Sequence, residues 1–194
     1  MKILIISSYF GPETSVGVLR VNAFANHWSR QGHDVHVLTM PFTGELPAGL
    51  RDNPRIHVQQ IAPWLIRGGQ AGGVQGYSKG VKGWRRALLS FQYWLKRRLL
   101  SNYLDPRVLW WPRAALVGRS LLRKQHFDVL YSTVPSYTAH SAAALIKQAN
   151  RQLFWVADYR DLWAGNPIFP GCAPVRAFER RHERTVLARA DLIC

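Results

Sequence analysis

Asp158-Tyr159-Arg160-Asp161-Leu162-Trp163 puts two carboxylates, a guanidinium and an indole directly after an apolar run. That mixture suits a polyol, because carboxylates accept hydrogen bonds from hydroxyls and an indole offers an apolar face to a sugar ring. The same residues also suit an Asp–Arg network that braces a loop. A second candidate is the stretch from Gly11 to Gly17, where glycine lets backbone approach a ligand closely and the helix that follows favours negative charge at its N-terminus. The spacing is not G-x-G-x-x-G, so a dinucleotide fingerprint is absent. Arg20 falls just beyond, at the start of a helical pattern, where its guanidinium can grip a phosphate or carboxylate or simply be solvated. Pro135 and Ser136 stand between an apolar run and an alanine-rich stretch, as a helix N-terminus requires. His140, further along that stretch, reads as a satisfied surface or core histidine rather than a ligand.

These residues need elements to position them. Met1 to Ser7 reads as a strand buried on both faces of a parallel sheet. Val21, Phe24, Ala25 and Trp28 fall at i, i+3, i+4 and i+7, one face of a helix that Gly32 terminates. Asp34 to Thr39 alternates as a second strand, completing a β-loop-α-β unit. Arg55 to Ile61, Phe127 to Thr133 and Leu153 to Ala157 read as further strands, with a sixth beginning at Asp191. Helices are expected from Trp111 to Gln125, with Leu116, Leu121 and Leu122 on its apolar side, from Ser136 to Arg151, and from Val175 to Ala190. The expected fold class is therefore α/β, a Rossmann-like parallel sheet flanked by helices. In such sheets ligands collect outside the carboxyl ends of the strands, which is where all the candidates above fall.

Charge adds a second theme. The chain of 194 residues carries a formal net charge of +15, with Lys and Arg numbering 26. Half of those bases lie between Arg67 and Lys124, where Asp105 is the lone acid. Within that stretch Trp84, Phe91 and Trp94 share one arc of a helical projection, while Arg85, Arg86, Lys96 and Arg97 lie largely opposite. An amphipathic helix of that kind can rest in an anionic membrane interface, or its apolar side can pack on the protein's own sheet. Nucleic acid is a weaker partner, because no stacking platform or base-reading motif accompanies the charge. A single domain over residues 1–194 is expected, with a basic helical insertion at about 67–124. No apolar run reaches the roughly 18 to 20 residues of a membrane span, and the short apolar opening lacks a cleavage site, so a cytoplasmic location is expected. Cys172 and Cys194 have neither the number nor the spacing of a disulfide framework or zinc site. No metal or cofactor is expected.

Four stretches in this order, MKILIISSYFGPETSVGVLRVNAFANHWSRQGHDVHVLT, FDVLYSTVPSYTAHSAAALI, WVADYRDLWAG and RADLIC, resemble the N-terminal domain of glycosyltransferase family 4, enzymes of the GT-B fold. The resemblance covers nearly the whole chain. It implies two Rossmann-like domains facing across a cleft, the N-terminal one holding the acceptor and a C-terminal one, beyond Cys194, holding a nucleotide sugar. It further implies a retaining glycosyl transfer to a lipid-linked or polysaccharide-precursor acceptor, by a peripheral enzyme at the inner face of the cytoplasmic membrane. Gly11, Gly17, Arg20, Pro135, Ser136, Asp158, Arg160, Asp161 and Trp163 would then line the acceptor cleft. Trp84, Arg85, Arg86, Phe91, Trp94, Lys96 and Arg97 would dock on the membrane. Many relatives place a histidine near Tyr131 and Thr133, and this chain has none there, so no catalytic residue is assigned. The family's paired C-terminal glutamates have no counterpart, and Glu179 and Glu183 precede the sixth strand and are not that motif. On this reading the 194-residue chain alone does not turn over. The alternative is a noncatalytic membrane-surface or nucleic-acid-binding module that uses the same basic patch.

Overall fold

The alternation of apolar strands with amphipathic helices produces a parallel sheet wound in both directions from its middle. The structure is a computed structural model that describes residues 1–64, 94, 109–133, 137–159, 162–166 and 171–194. Six strands, β1 (Lys2–Ile6), β2 (Asp34–Thr39), β3 (Ile56–Gln60), β4 (Val129–Thr133), β5 (Phe154–Asp158) and β6 (Leu192–Ile193), lie in the order β3-β2-β1-β4-β5-β6, all parallel. Helices among the described residues include α1 (Val16–Arg30), α2 (Ala48–Arg51), α3 (Trp111–Lys124), α4 (Tyr137–Ala149) and α5 (Ala173–Leu187). The expected α/β Rossmann-like class is the class observed. The short α2 lies in the proline-bearing loop before β3, where the sequence pattern offered no helix.

Period-two alternation divides the core. Ile3, Ile5, Val35, Val37 and Tyr131 meet α1 through Val21 and Ala25, with Phe24 and Trp28 packed alongside. Leu4, Ile6, Leu38 and Leu130 face the other way, toward α3, α4 and α5. The central strands are thus apolar on both sides, as a sheet covered by two helix layers demands. At its amino end the sheet is tied by carboxylates: Asp128 accepts from the Lys2 amide at 2.7 Å. Asp191 accepts from both the Trp155 amide at 2.6 Å and Lys147 Nζ at 2.7 Å.

Residues Trp110 to Lys124, the end of the basic stretch, are part of the core itself, since Trp110, Ala114 and Ala115 are fully buried. The buried side of α3 is built from small residues, and Leu116 is 53% exposed rather than on the apolar side expected for it. The reason is a close helix crossing: a Cβ at Gly118 would strike Cδ1 of Ile146 on α4. Gly32, at φ +87, follows the end of α1 and turns the chain into β2, as the sequence suggests. Gly118→Val is expected to destabilise the fold by about 1 to 3 kcal/mol through overpacking. Urea unfolding checks this, and Ile146→Ala introduced beside it should recover part of the loss.

Candidate functional site

Strand order reverses between β1 and β4, because β1 continues through α1 to β2 on one side while β4 continues through α4 to β5 on the other. A crevice at the carboxyl edge of such a switch point is the usual ligand site of an open α/β sheet. Asp158, the last residue of β5, stands beside it and is only 1% exposed. A buried carboxylate needs compensating donors, and two elements, α1 and β4, supply the shortest of them. Arg20 Nη2 on α1 donates to Oδ1 at 2.6 Å, while Tyr131 Oη and Thr133 Oγ1 on β4 each donate to Oδ2 at 2.7 Å. The geometry follows from register: Thr133 sits opposite Asp158, and Tyr131 lies two residues back on the same face. Burial, followed by the hydrogen bond to Asp158, pushes the Tyr131 hydroxyl well above the usual phenol range, so it stays protonated and donating.

Arg20 is in the second turn of α1, not the first, and reaches across the sheet end instead of standing alone near the loop. Its side chain is 39% exposed, and among the described residues Nε and Nη1 make no hydrogen bond. Its guanidinium carbon lies 5.4 Å from the centroid of Phe24, one helical turn on. Trp28 stacks on Phe24 at 5.4 Å, and Tyr131 meets Phe24 and Trp28 edge-on at 5.8 and 5.0 Å. The aromatic layer supports the cation from below and Asp158 fixes it from the side.

The expected site residues separate into groups. Gly11, at φ +151, carries a conformation that disfavours a side chain, and a Cβ there would come within 3.0 Å of the Phe42 ring. Asn22 Nδ2 donates to its carbonyl at 2.8 Å. The close approach that requires glycine is thus made by Phe42. Gly17 is buried in the first turn of α1 rather than in the loop. Trp163 is only 4% exposed, with its indole stacked on Tyr137 at 5.1 Å and met edge-on by His182 at 5.1 Å, so these neighbours use its faces. Asp158 likewise spends its acceptor capacity on protein donors. Pro135, Ser136, Arg160 and Asp161 lie outside the described residues, as do Trp84, Arg85, Arg86, Phe91, Lys96 and Arg97. Trp94 is described and is 53% exposed.

On the opposite sheet face a second polar chain is fully enclosed. Trp155 Nε1 donates to Ser132 Oγ at 2.8 Å, and Ser132 Oγ lies 2.7 Å from His140 Nδ1. His140 is in the first turn of α4, nearer the β4 end than its place in the sequence suggested, and stacks on Tyr159 at 5.1 Å. Tyr159 in turn donates to Glu183 at 2.7 Å. Burial drops the His140 pKa to about 3, so the ring is neutral at physiological pH. Sequence reasoning missed the partners of the β4 residues: Tyr131 and Thr133 face α1 and bond Asp158, and Ser132 faces α4 and joins His140 and Trp155. The signal available was the alternation of three hydroxyl-bearing residues at a strand end. Among the described residues no group of His, Cys, Asp and Glu could hold a metal, and no helix is long and apolar enough to cross a membrane.

No family model matches the sequence, and no curated protein is significantly similar to it. The fold has solved counterparts. Sucrose-phosphate synthase from Thermosynechococcus elongatus superposes with a TM-score of 0.59 at 12% identity, over 99% of this chain and 41% of that one. A second structure of that synthase gives 0.54 at 11% identity, over 100% of this chain and 75% of that one. The C-terminal domain of a Pyrococcus furiosus hydrogenase, with 16% identity over 80% of this chain and 89% of that one, reaches only 0.45, too loose to bear on the fold. The chain thus spans less than half of the longer synthase, and at these identities the likeness is one of fold.

Two outcomes are expected of the buried groups. Tyr131→Phe and Thr133→Val should each cost about 1 kcal/mol in chemical unfolding, since each removes a single donor from a carboxylate that keeps the others. The histidines give a pH dependence. His140 and His36, the latter lowered to about 4 chiefly by burial, are neutral in the fold but take protons near pH 6.5 when unfolded. Their contribution is complete above that pH and is lost as pH falls through 6.5 toward 4 and then 3. The urea midpoint of His140→Phe should fall less steeply with acidification than that of the wild type.

Proposed function

We propose that the chain is the acceptor-side half of a retaining, metal-independent GT-B glycosyltransferase, which transfers a sugar from a nucleotide donor to a lipid-linked or polysaccharide-precursor acceptor. The observation that carries this reading is Arg20, held at the switch-point crevice by Asp158, with two of its nitrogens uncommitted among the described residues. A pinned guanidinium loses little freedom on binding and presents a planar donor set suited to a phosphate oxygen or a pair of sugar hydroxyls. The resemblance in sequence and the likeness of fold to a sucrose-phosphate synthase point the same way.

In this reading the residues have separate duties. Asp158, Tyr131 and Thr133 position Arg20 and are themselves buried, so Arg20 is the member of the cluster that meets the acceptor. Gly11 shapes the loop after β1 and Gly17 lets α1 begin close to the sheet. Pro135, Ser136, Arg160 and Asp161 complete the cleft rim, and Trp163 braces it through Tyr137. The nucleotide sugar is bound by a second domain, so charge on the departing nucleotide is stabilised there and this chain alone is inactive. The segment bearing Trp84, Arg85, Arg86, Phe91, Trp94, Lys96 and Arg97 keeps the enzyme at the cytoplasmic face of the membrane, near a lipid-borne acceptor.

An isotope-labelled sample titrated separately with nucleotide sugars and with oligosaccharide or polyprenyl-phosphate acceptors tests this division. Acceptors should shift the resonances of Gly11 and Arg20, and Arg20→Ala should weaken them about tenfold, the worth of one charge-assisted hydrogen bond. Tight binding of a nucleotide sugar to this chain, with acceptors ignored, would contradict the reading.

A further inference from the structure

Helix α5 has an outward face that the cleft does not use. Arg176, Arg180 and Arg184 recur at four-residue spacing, which aligns them along one side of a helix over about 12 Å, and Arg181 widens the row. All four are exposed, and among the described residues none of their side chains enters an ion pair or hydrogen bond. They line a shallow depression of about 570 Å³, floored by Ala173, Ala177 and Thr185. The two acids of the helix do not neutralise them. Glu179 is fully buried, on the side of the helix away from the row, and Glu183 accepts from Tyr159.

An unneutralised row of this length on one element is costly unless a counter-charge is met, because like charges at four-residue spacing repel one another. We infer that this arginine face of α5 docks electrostatically on the phosphates of an anionic phospholipid surface. Three features favour that occupant. Guanidinium groups match phosphate oxygens bidentately. Ala173, Ala177 and Thr185, which floor the depression, are short, so a surface can approach the arginine heads. The row itself holds no aromatic ring on which unstacked bases could sit, and Phe178 of the same helix stands at its margin, 59% exposed. The apolar side of α5 is engaged in the core through Val186, so the contact is one of charge without insertion. It follows that binding is abolished by salt, as the screening length falls from about 10 Å at 0.1 M to about 3 Å at 1 M.

The inference rests on the reading that the protein works at a membrane, and not on the reaction it performs. Cosedimentation with vesicles of phosphatidylcholine alone or mixed with phosphatidylglycerol tests it on the whole chain. Two variants remove four charges each: R176Q/R180Q/R181Q/R184Q on α5, and R85Q/R86Q/K96Q/R97Q in the basic aromatic segment. A third, R30Q/R123Q/K124Q/R151Q, removes four elsewhere. Unfolding midpoints confirm that each is folded. The α5 variant should lose about tenfold or more in affinity for anionic vesicles, as expected for several arginines leaving the headgroup layer, with a much smaller loss in the third variant. Equal losses in the α5 and third variants would overturn the assignment, reducing it to net charge. Loss in the segment variant with none in the α5 variant would overturn it while keeping the membrane reading. Absence of vesicle binding by the wild type would overturn both. Salt-resistant capture of duplex DNA that the α5 variant loses, with vesicle binding intact, would assign the row to nucleic acid instead.

Discussion

A carboxylate buried at the end of a central strand has to be surrounded by donors, and Asp158 meets that demand by recruiting from both halves of the sheet. Tyr131 and Thr133 come from the neighbouring strand, and Arg20 comes from the helix that follows the first strand. The carboxylate therefore fastens α1 across the point where the sheet changes its winding direction. It holds the one partly exposed cation of the cluster at a fixed place above a stack of aromatic rings. The pair is close to neutral, which suits hydrogen bonding to a polyol or phosphate better than long-range attraction.

Strand alternation keeps this cluster apart from a second one. Ser132, between Tyr131 and Thr133, turns to the other layer and joins Trp155 and His140 in a chain without access to water. A neutral, enclosed imidazole contributes rigidity and a defined position for α4 against β4 and β5, since any shift breaks several hydrogen bonds together. The crevice is thus bordered by two elements, α1 and α4, each locked to the sheet by its own polar network.

Much of the fold was legible in the sequence because it is written in periodicity. The apolar run at Met1 to Ser7, the alternation at Asp34 to Thr39 and the stripe from Val21 to Trp28 all became the elements they suggest, with Gly32 at the turn between the last two. Failures came where packing overrides pattern. Leu116 faces solvent because the buried arc of α3 runs through Ala114, Ala115 and Gly118, small residues that let α4 approach closely, and Leu116 lies on the other side. The site was legible by place but not by partnership. Asp158 and Arg20 both drew notice from their positions at strand and helix ends, yet 138 residues separate them, and nothing in one sequence states that they meet at 2.6 Å. Trp163 shows the converse: an indole near a sheet edge suits a sugar face, and here its neighbours Tyr137 and His182 occupy it.

The most direct test is a double-mutant cycle on Arg20 and Asp158, with Arg20→Met and Asp158→Asn alone and combined, read as unfolding free energies. Because the arginine is 39% exposed, the coupling is expected to be moderate, about 1 to 2 kcal/mol, below that of a fully enclosed pair. Asp158→Asn alone should also cost more than Arg20→Met alone, since the carboxylate serves three donors. Costs that simply add would show that the two side chains do not hold one another, and the account of a pinned cation at the crevice would fail.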